Sequence, residues 1–133
     1  MEDRFAIVAG IIAQEMAKPY VPGKSDCFFF GIRMADALDP ALALEASYAG
    51  AYRTLAGAQR ALRRRGFTSL VALFATHLEG CGAALARPGD LGVILLADGE
   101  HVGVCVGEKF VTKTDRGQSF HEVGKIIAAF RAG

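Results

Sequence analysis

The sequence predicts a single α+β domain over residues 1–133, with helices first and a small antiparallel sheet after them. Three observations carry this. Apolar residues recur at helical spacing through the first two thirds. Beyond Gly82 the pattern changes to short β-branched runs such as "LGVILLA", "HVGVCVG" and "KFVTKT". Between those runs stand the turn formers "RPGD", "DG" and Gly107-Glu108. A helical block followed by a strand block is the signature of an α+β layer fold.

Each element follows from local signals. Phe5, Val8, Ile11, Ile12 and Met16 form one helical stripe, which Pro19 ends. After the turn "KPYVPGKS", Ser25 or Asp26 is placed to cap a helix from Cys27 to Leu38. Asp39-Pro40 breaks it, and Pro40 suits the first turn of a short third segment. Tyr52 to Arg65 reads as a helix stopped by Gly66. Thr68 or Ser69 caps another that runs to Leu78, before Gly80. Gly107 at the first position of a two-residue turn suits a type II′ hairpin. That turn pairs Val106 with Lys109, Cys105 with Phe110, Gly103 with Thr112 and His101 with Thr114. Two weaker strands are expected near Ser119–Val123 and Lys125–Phe130.

Composition narrows the function. The 133 residues are 52% hydrophobic, enough for a buried core and too apolar for disorder. The net charge of +1 offers no field for nucleic acid or an anionic membrane. Arg63-Arg64-Arg65 ends a helix, where cations offset the dipole. The acidic start, Glu2 and Asp3, does not fit a secretory leader, and Phe5–Ala13 is too short to span a bilayer. Synthesis in the cytoplasm is expected. The three cysteines, Cys27, Cys81 and Cys105, are an odd number without C-x-x-C spacing. Neither a disulfide framework, a metal site nor a cofactor is expected.

Cys27 is the candidate nucleophile. It opens a helix, where free N–H groups and the dipole lower a thiol pKa. Asp26 beside it opposes that by charge, and a buried structural cysteine is the plain alternative. Among His77, His101 and His121, only His101 opens a strand from which an imidazole reaches a neighbouring helix start. Cys105 is four residues along that strand, roughly 13 Å away, and cannot share the ring. Cys81 sits between glycines with no base. The hairpin register puts Thr112 and Thr114 on the face of His101, with Lys113 pointing away. Asp115 serves only if the hairpin is wider. Of Phe28, Phe29 and Phe30, most are expected in the core, with at least one edging the cleft.

"YVPGKSDC", "RPGDL" and "HVGVCVG" together resemble the NlpC/P60 cysteine peptidases. The resemblance implies a papain-like fold, Cys27 as nucleophile and His101 as its base. The third catalytic position maps close to Thr112, and the family's tyrosine falls on Tyr20. The implied substrate is the amide of a peptidoglycan stem peptide. Two features depart from the family: Phe28-Phe29 replaces Ser-Gly, and Asp39–Gly80 is long. With that long stretch the chain is similar instead to small NlpC/P60-related proteins coded beside phage and gene-transfer-agent tail genes, which share "DC" at a helix start, a Tyr…Tyr segment (here Tyr48-Ala-Gly-Ala-Tyr52) and a late "GD" turn. That likeness implies tail proteins as partners and delivery by the virion. It leaves an alternative, a tail-assembly protein that kept the fold and lost catalysis.

Overall fold

The computed structural model describes residues 3–133. The acidic start at Met1 and Glu2 lies outside the described residues. Asp3 accepts a hydrogen bond from Phe5 N and so caps α1 (Arg4–Met16). Asp26, not Ser25, caps α2 (Cys27–Leu38), accepting from Phe29 N at 3.0 Å. Ser25 Oγ donates instead to Pro19 O and tightens the preceding turn. Pro40 starts a short 3-10 turn, Pro40–Leu42, as its fixed φ favours.

The long middle stretch is three helices: α3 (Leu44–Tyr48), α4 (Leu55–Arg64) and α5 (Leu70–His77). The helix expected from Tyr52 begins at Leu55, because Thr54 supplies the cap by accepting from Gly57 N. Ser69, not Thr68, caps α5.

Six strands follow: β1 (Gly80–Cys81), β2 (Leu91–Leu96), β3 (Gly99–Cys105), β4 (Lys109–Thr114), β5 (Gly117–Glu122) and β6 (Ile126–Phe130). They form one antiparallel sheet in the order β1-β6-β2-β3-β4-β5. Among the described residues, five helices beside a six-stranded antiparallel sheet make the fold α+β.

Strand alternation divides the core. Leu91, Val93, Val102, Val104, Val111 and Phe130 share the sheet face that meets Phe28, Phe29, Phe30, Ile32 and Met34 of the helices. The opposite face carries a smaller cluster of Cys105, Phe110 and Ala129. Helix α2 packs across β3. That contact brings the start of α2 to the start of β3.

The β3–β4 register agrees with the hairpin expected from Gly107-Glu108. Gly103 pairs with Thr112, Val104 with Val111 and Cys105 with Phe110, and Val106 N donates to Lys109 O. The pairing ends at Gly103–Thr112, so His101 and Thr114 are not partners. The two strands part there, and the gap positions the site.

Among the described residues, no helix is long and apolar enough to cross a membrane.

Candidate functional site

The site grows from the parting of β3 and β4. Val102 turns its N–H and C=O toward β4, where a continued ladder would pair them. Two side chains take those groups instead. Cys27 Sγ accepts from Val102 N at 3.4 Å, and Thr112 Oγ1 donates to Val102 O at 2.5 Å. The first residue of α2 is thereby seated against the edge of β3, one residue from His101.

Asp26 fixes that seat. Its Oδ1 accepts from Phe29 N at 3.0 Å. Its Oδ2 accepts from Gly23 N at 2.8 Å and from the Tyr52 hydroxyl at 2.5 Å. The cap of α2 is thus also the anchor of the segment leading into α4. Burial and the Asp26 charge hold the Tyr52 phenol above its ordinary range, so it remains a donor. The N–H groups of Phe29 and Phe30 go to Asp26, which leaves those of Cys27 and Phe28, among the described residues, as the free donors of the first turn.

Cys27 itself is half-buried. Burial pushes its thiol up to about 12, and the Asp26 carboxylate adds to this. The Val102 N–H and the Thr112 hydroxyl act the other way and are outweighed. This corrects the expectation that a first-turn position lowers the thiol pKa. Desolvation is the stronger effect here, and the resting side chain is a neutral thiol.

His101 Nε2 lies 2.7 Å from Asp98 Oδ1. The hydrogen bond from His101 holds Asp98 below the usual carboxylate range, so the carboxylate only accepts and Nε2 donates. Nδ1 is the ring nitrogen not engaged by Asp98, and in the neutral ring it carries the lone pair a base requires. Thr112 does not orient this ring, as the sequence reading had it. Its hydroxyl is spent on Val102 O beside the thiol, while Thr114 Oγ1 donates to Gly117 O at 2.9 Å. The register is as expected; the ladder simply ends before it reaches His101. Asp98, in the turn between β2 and β3, was missed. The signal was present in "DGEH", where a carboxylate stands three residues before the imidazole across a tight turn.

Tyr20, Cys27, Asp98 and His101 line one cavity of about 200 Å³, together with Phe28, Tyr48 and Tyr52. Among the described residues no hydrogen bond joins Cys27 to His101. Tyr20 is half-buried, and burial pushes its phenol up to about 12, followed by the nearby Cys27 and Asp26. Phe28, Phe29 and Phe30 are all buried and Phe28 walls the cavity, as their spacing predicts.

The other candidates are accounted for structurally. His77 ends α5 and bonds the Tyr48 hydroxyl at 2.8 Å. His121 Nε2 pairs with Ser119 Oγ at 2.7 Å. Cys105 is fully buried and donates to Ala86 O. Among the described residues no cluster of His, Cys, Asp and Glu is arranged to hold a metal ion.

No curated protein matches the chain. A family described as a domain of unknown function (DUF6950) matches residues 2–132, nearly its whole length, and the chain belongs to that family.

Proposed function

We propose that the protein is a cysteine hydrolase of amide bonds, with an NlpC/P60-type papain-like fold. The observation that carries this is the placement of Cys27, in the first turn of α2, on a cavity wall shared with the Asp98–His101 pair. Cys27 is the nucleophile and His101 Nδ1 the base. Because the thiol is neutral at rest, its proton leaves as sulfur attacks the carbonyl, not before. The Cys27 N–H stabilises the oxyanion. His101 then gives the proton to the departing amine, and water hydrolyses the thioester. Asp98 keeps the proton on Nε2, and Tyr20 borders the cavity. The substrate implied by the resemblance is a peptidoglycan stem peptide, with delivery on a phage tail or gene-transfer-agent particle.

The test is hydrolysis of a cell-wall tetrapeptide by the full chain, followed by mass spectrometry. Cys27→Ala abolishes turnover, and His101→Ala lowers it by about 100-fold or more. Turnover that survives Cys27→Ala overturns the reading.

Two observations favour a second reading, a tail-assembly protein that has kept the fold without catalysis. The thiol is strongly disfavoured as an anion, and it is bonded to Val102 rather than to His101. A folded wild-type protein that turns over no amide, with a Cys27→Ala variant that still assembles, supports this second reading.

A further inference from the structure

The cavity beside Cys27 and His101 is also walled by helices α4 and α5, and its chemistry there is specific. Helix α4 presents Leu55, Ala58 and Leu62 to it, three residues on one helical face. Helix α5 adds Leu70 and Leu73. Phe28 closes the side nearest the nucleophile. The charged groups on these walls are already engaged. Glu100 Oε1 accepts from Leu70 N at 2.8 Å. Asp26 holds Phe29 N, Gly23 N and Tyr52. The Arg65 guanidinium lies 4.5 Å over the Tyr48 ring and donates to Ser47 O. Room is left because small side chains, Ala51, Ala58 and Ala61, stand where larger ones would fill the space.

We infer that this end of the cavity is a specificity pocket for an uncharged apolar side chain, aromatic or branched aliphatic, next to the amide that Cys27 attacks. The inference rests on the hydrolase reading for its chemistry and departs from it in substrate class, since the alanine and glutamate of a stem peptide would not fill this pocket. An apolar cavity of about 150 Å³ is enough to hold benzene. The whole cavity, about 200 Å³ with the part beside Cys27 and His101 included, therefore has space for a phenyl or isobutyl group against α4 and α5. A methyl group leaves most of it empty. A charged side chain would lose its water there, and the carboxylates and guanidinium that could pair with it are already bonded. The preferred substrates are thus peptides with Phe or Leu at this position, over those with Ala or Glu.

The probes are N-acetylphenylalaninamide and N-acetylalaninamide, titrated calorimetrically against the Cys27→Ala full chain. The phenylalanine probe binds tighter by about tenfold or more. Ala58→Phe, placed on the half-buried wall of α4, fills the pocket and removes that preference. Equal binding of the two probes overturns the inference without recourse to any further variant. So does a folded Ala58→Phe protein that keeps the preference. Turnover separates the two readings. Selective binding with no hydrolysis by wild type keeps the pocket and removes the hydrolase. Hydrolysis indifferent to the side chain, with equal binding, keeps the hydrolase and removes the pocket.

Discussion

Cys27 shows how two effects at one residue are ranked. Its helix position and the Val102 N–H favour the thiolate; burial and Asp26 oppose it, and burial is the largest. An ordinary cysteine titrates near about 8.5. With the thiol pushed up to about 12, iodoacetamide at pH 7 alkylates Cys27 roughly 10³-fold more slowly than a free thiol. The rate keeps rising beyond pH 10, with no plateau below it. Peptide mapping after timed alkylation reads this directly. A plateau near pH 8 would show an exposed or ion-paired thiolate. The sign for stability follows. A folded pKa raised above the unfolded one stabilises fully below the unfolded value and loses that contribution as pH climbs toward the folded one. Tyr20, also pushed up to about 12, adds in the same direction, so the protein weakens in alkali from about pH 8.5 upward.

Asp98 is the second residue that decides something. It is 71% exposed, so its hold on His101 is screened and modest. Asp98→Ala frees the ring to carry its proton on either nitrogen. The nitrogen-15 shifts of His101 then move from an Nε2-protonated pattern toward a mixture, and turnover falls by about tenfold. A purely structural role would leave the tautomer unchanged.

At the scale of elements, the contact that places the site is α2 on β3. A Cβ built on Gly31 would lie 2.4 Å from Val102 Cγ1. Alanine is the better helix former by about 1 kcal/mol, and with room Gly31→Ala would stabilise. There is no room, and overpacking of this kind costs about 1–3 kcal/mol. Gly31→Ala therefore lowers stability in urea titrations, and it shifts the Cys27 sulfur off Val102 N. Adding Val102→Ala clears the atom that clashes and recovers part of the loss. Additive losses in the double variant would refute the close contact.

This contact also marks how far the sequence was legible. The boundaries of α2 and the register of β3 on β4 were readable because each rests on local chemistry: an Asp cap, a breaking Asp-Pro and a two-residue Gly turn. The identity of the group holding His101 was not, because the alternation of faces was extended past Gly103–Thr112, where the ladder ends. Nothing local to "HVGVC" says that Thr112 will take Val102 O and open the strands. The strand β1 at Gly80–Cys81 was unreadable for a related reason, since its pairing partner β6 lies some fifty residues on.

Across the whole molecule, one buried carboxylate ties the ends of the chain together. The Asp90 side chain is fully buried, yet it accepts from Arg4 Nη2 on α1 at 3.1 Å and from Arg131 Nη1 after β6 at 3.2 Å. It also takes Arg87 N at 2.8 Å and Ala132 N at 2.9 Å. A buried carboxylate without partners would titrate high. Here the backbone and arginine donors overcome the desolvation and hold Asp90 below the usual carboxylate range. The Arg87 guanidinium also lies 3.4 Å from Asp90, so removing the carboxylate strands Arg4, Arg87 and Arg131, which are themselves 25–45% exposed, and part of the loss is recovered by water. Asp90→Ala should then cost about 3 kcal/mol, the lower end for a broken buried pair. The pH sign is opposite to that of Cys27. A depressed folded pKa gives stability above the unfolded value and forfeits it as pH falls through the folded one. Wild type therefore loses stability below about pH 4. Asp90→Ala, weaker at neutral pH, shows a shallower acid limb. Thermal melts of both proteins from pH 3 to pH 7 compare the two slopes. Parallel limbs would mean that Asp90 is not the group that titrates. Hydrogen exchange adds where the loss falls: the first turn of α1 and the end of β6 should open together, because the same carboxylate closes both.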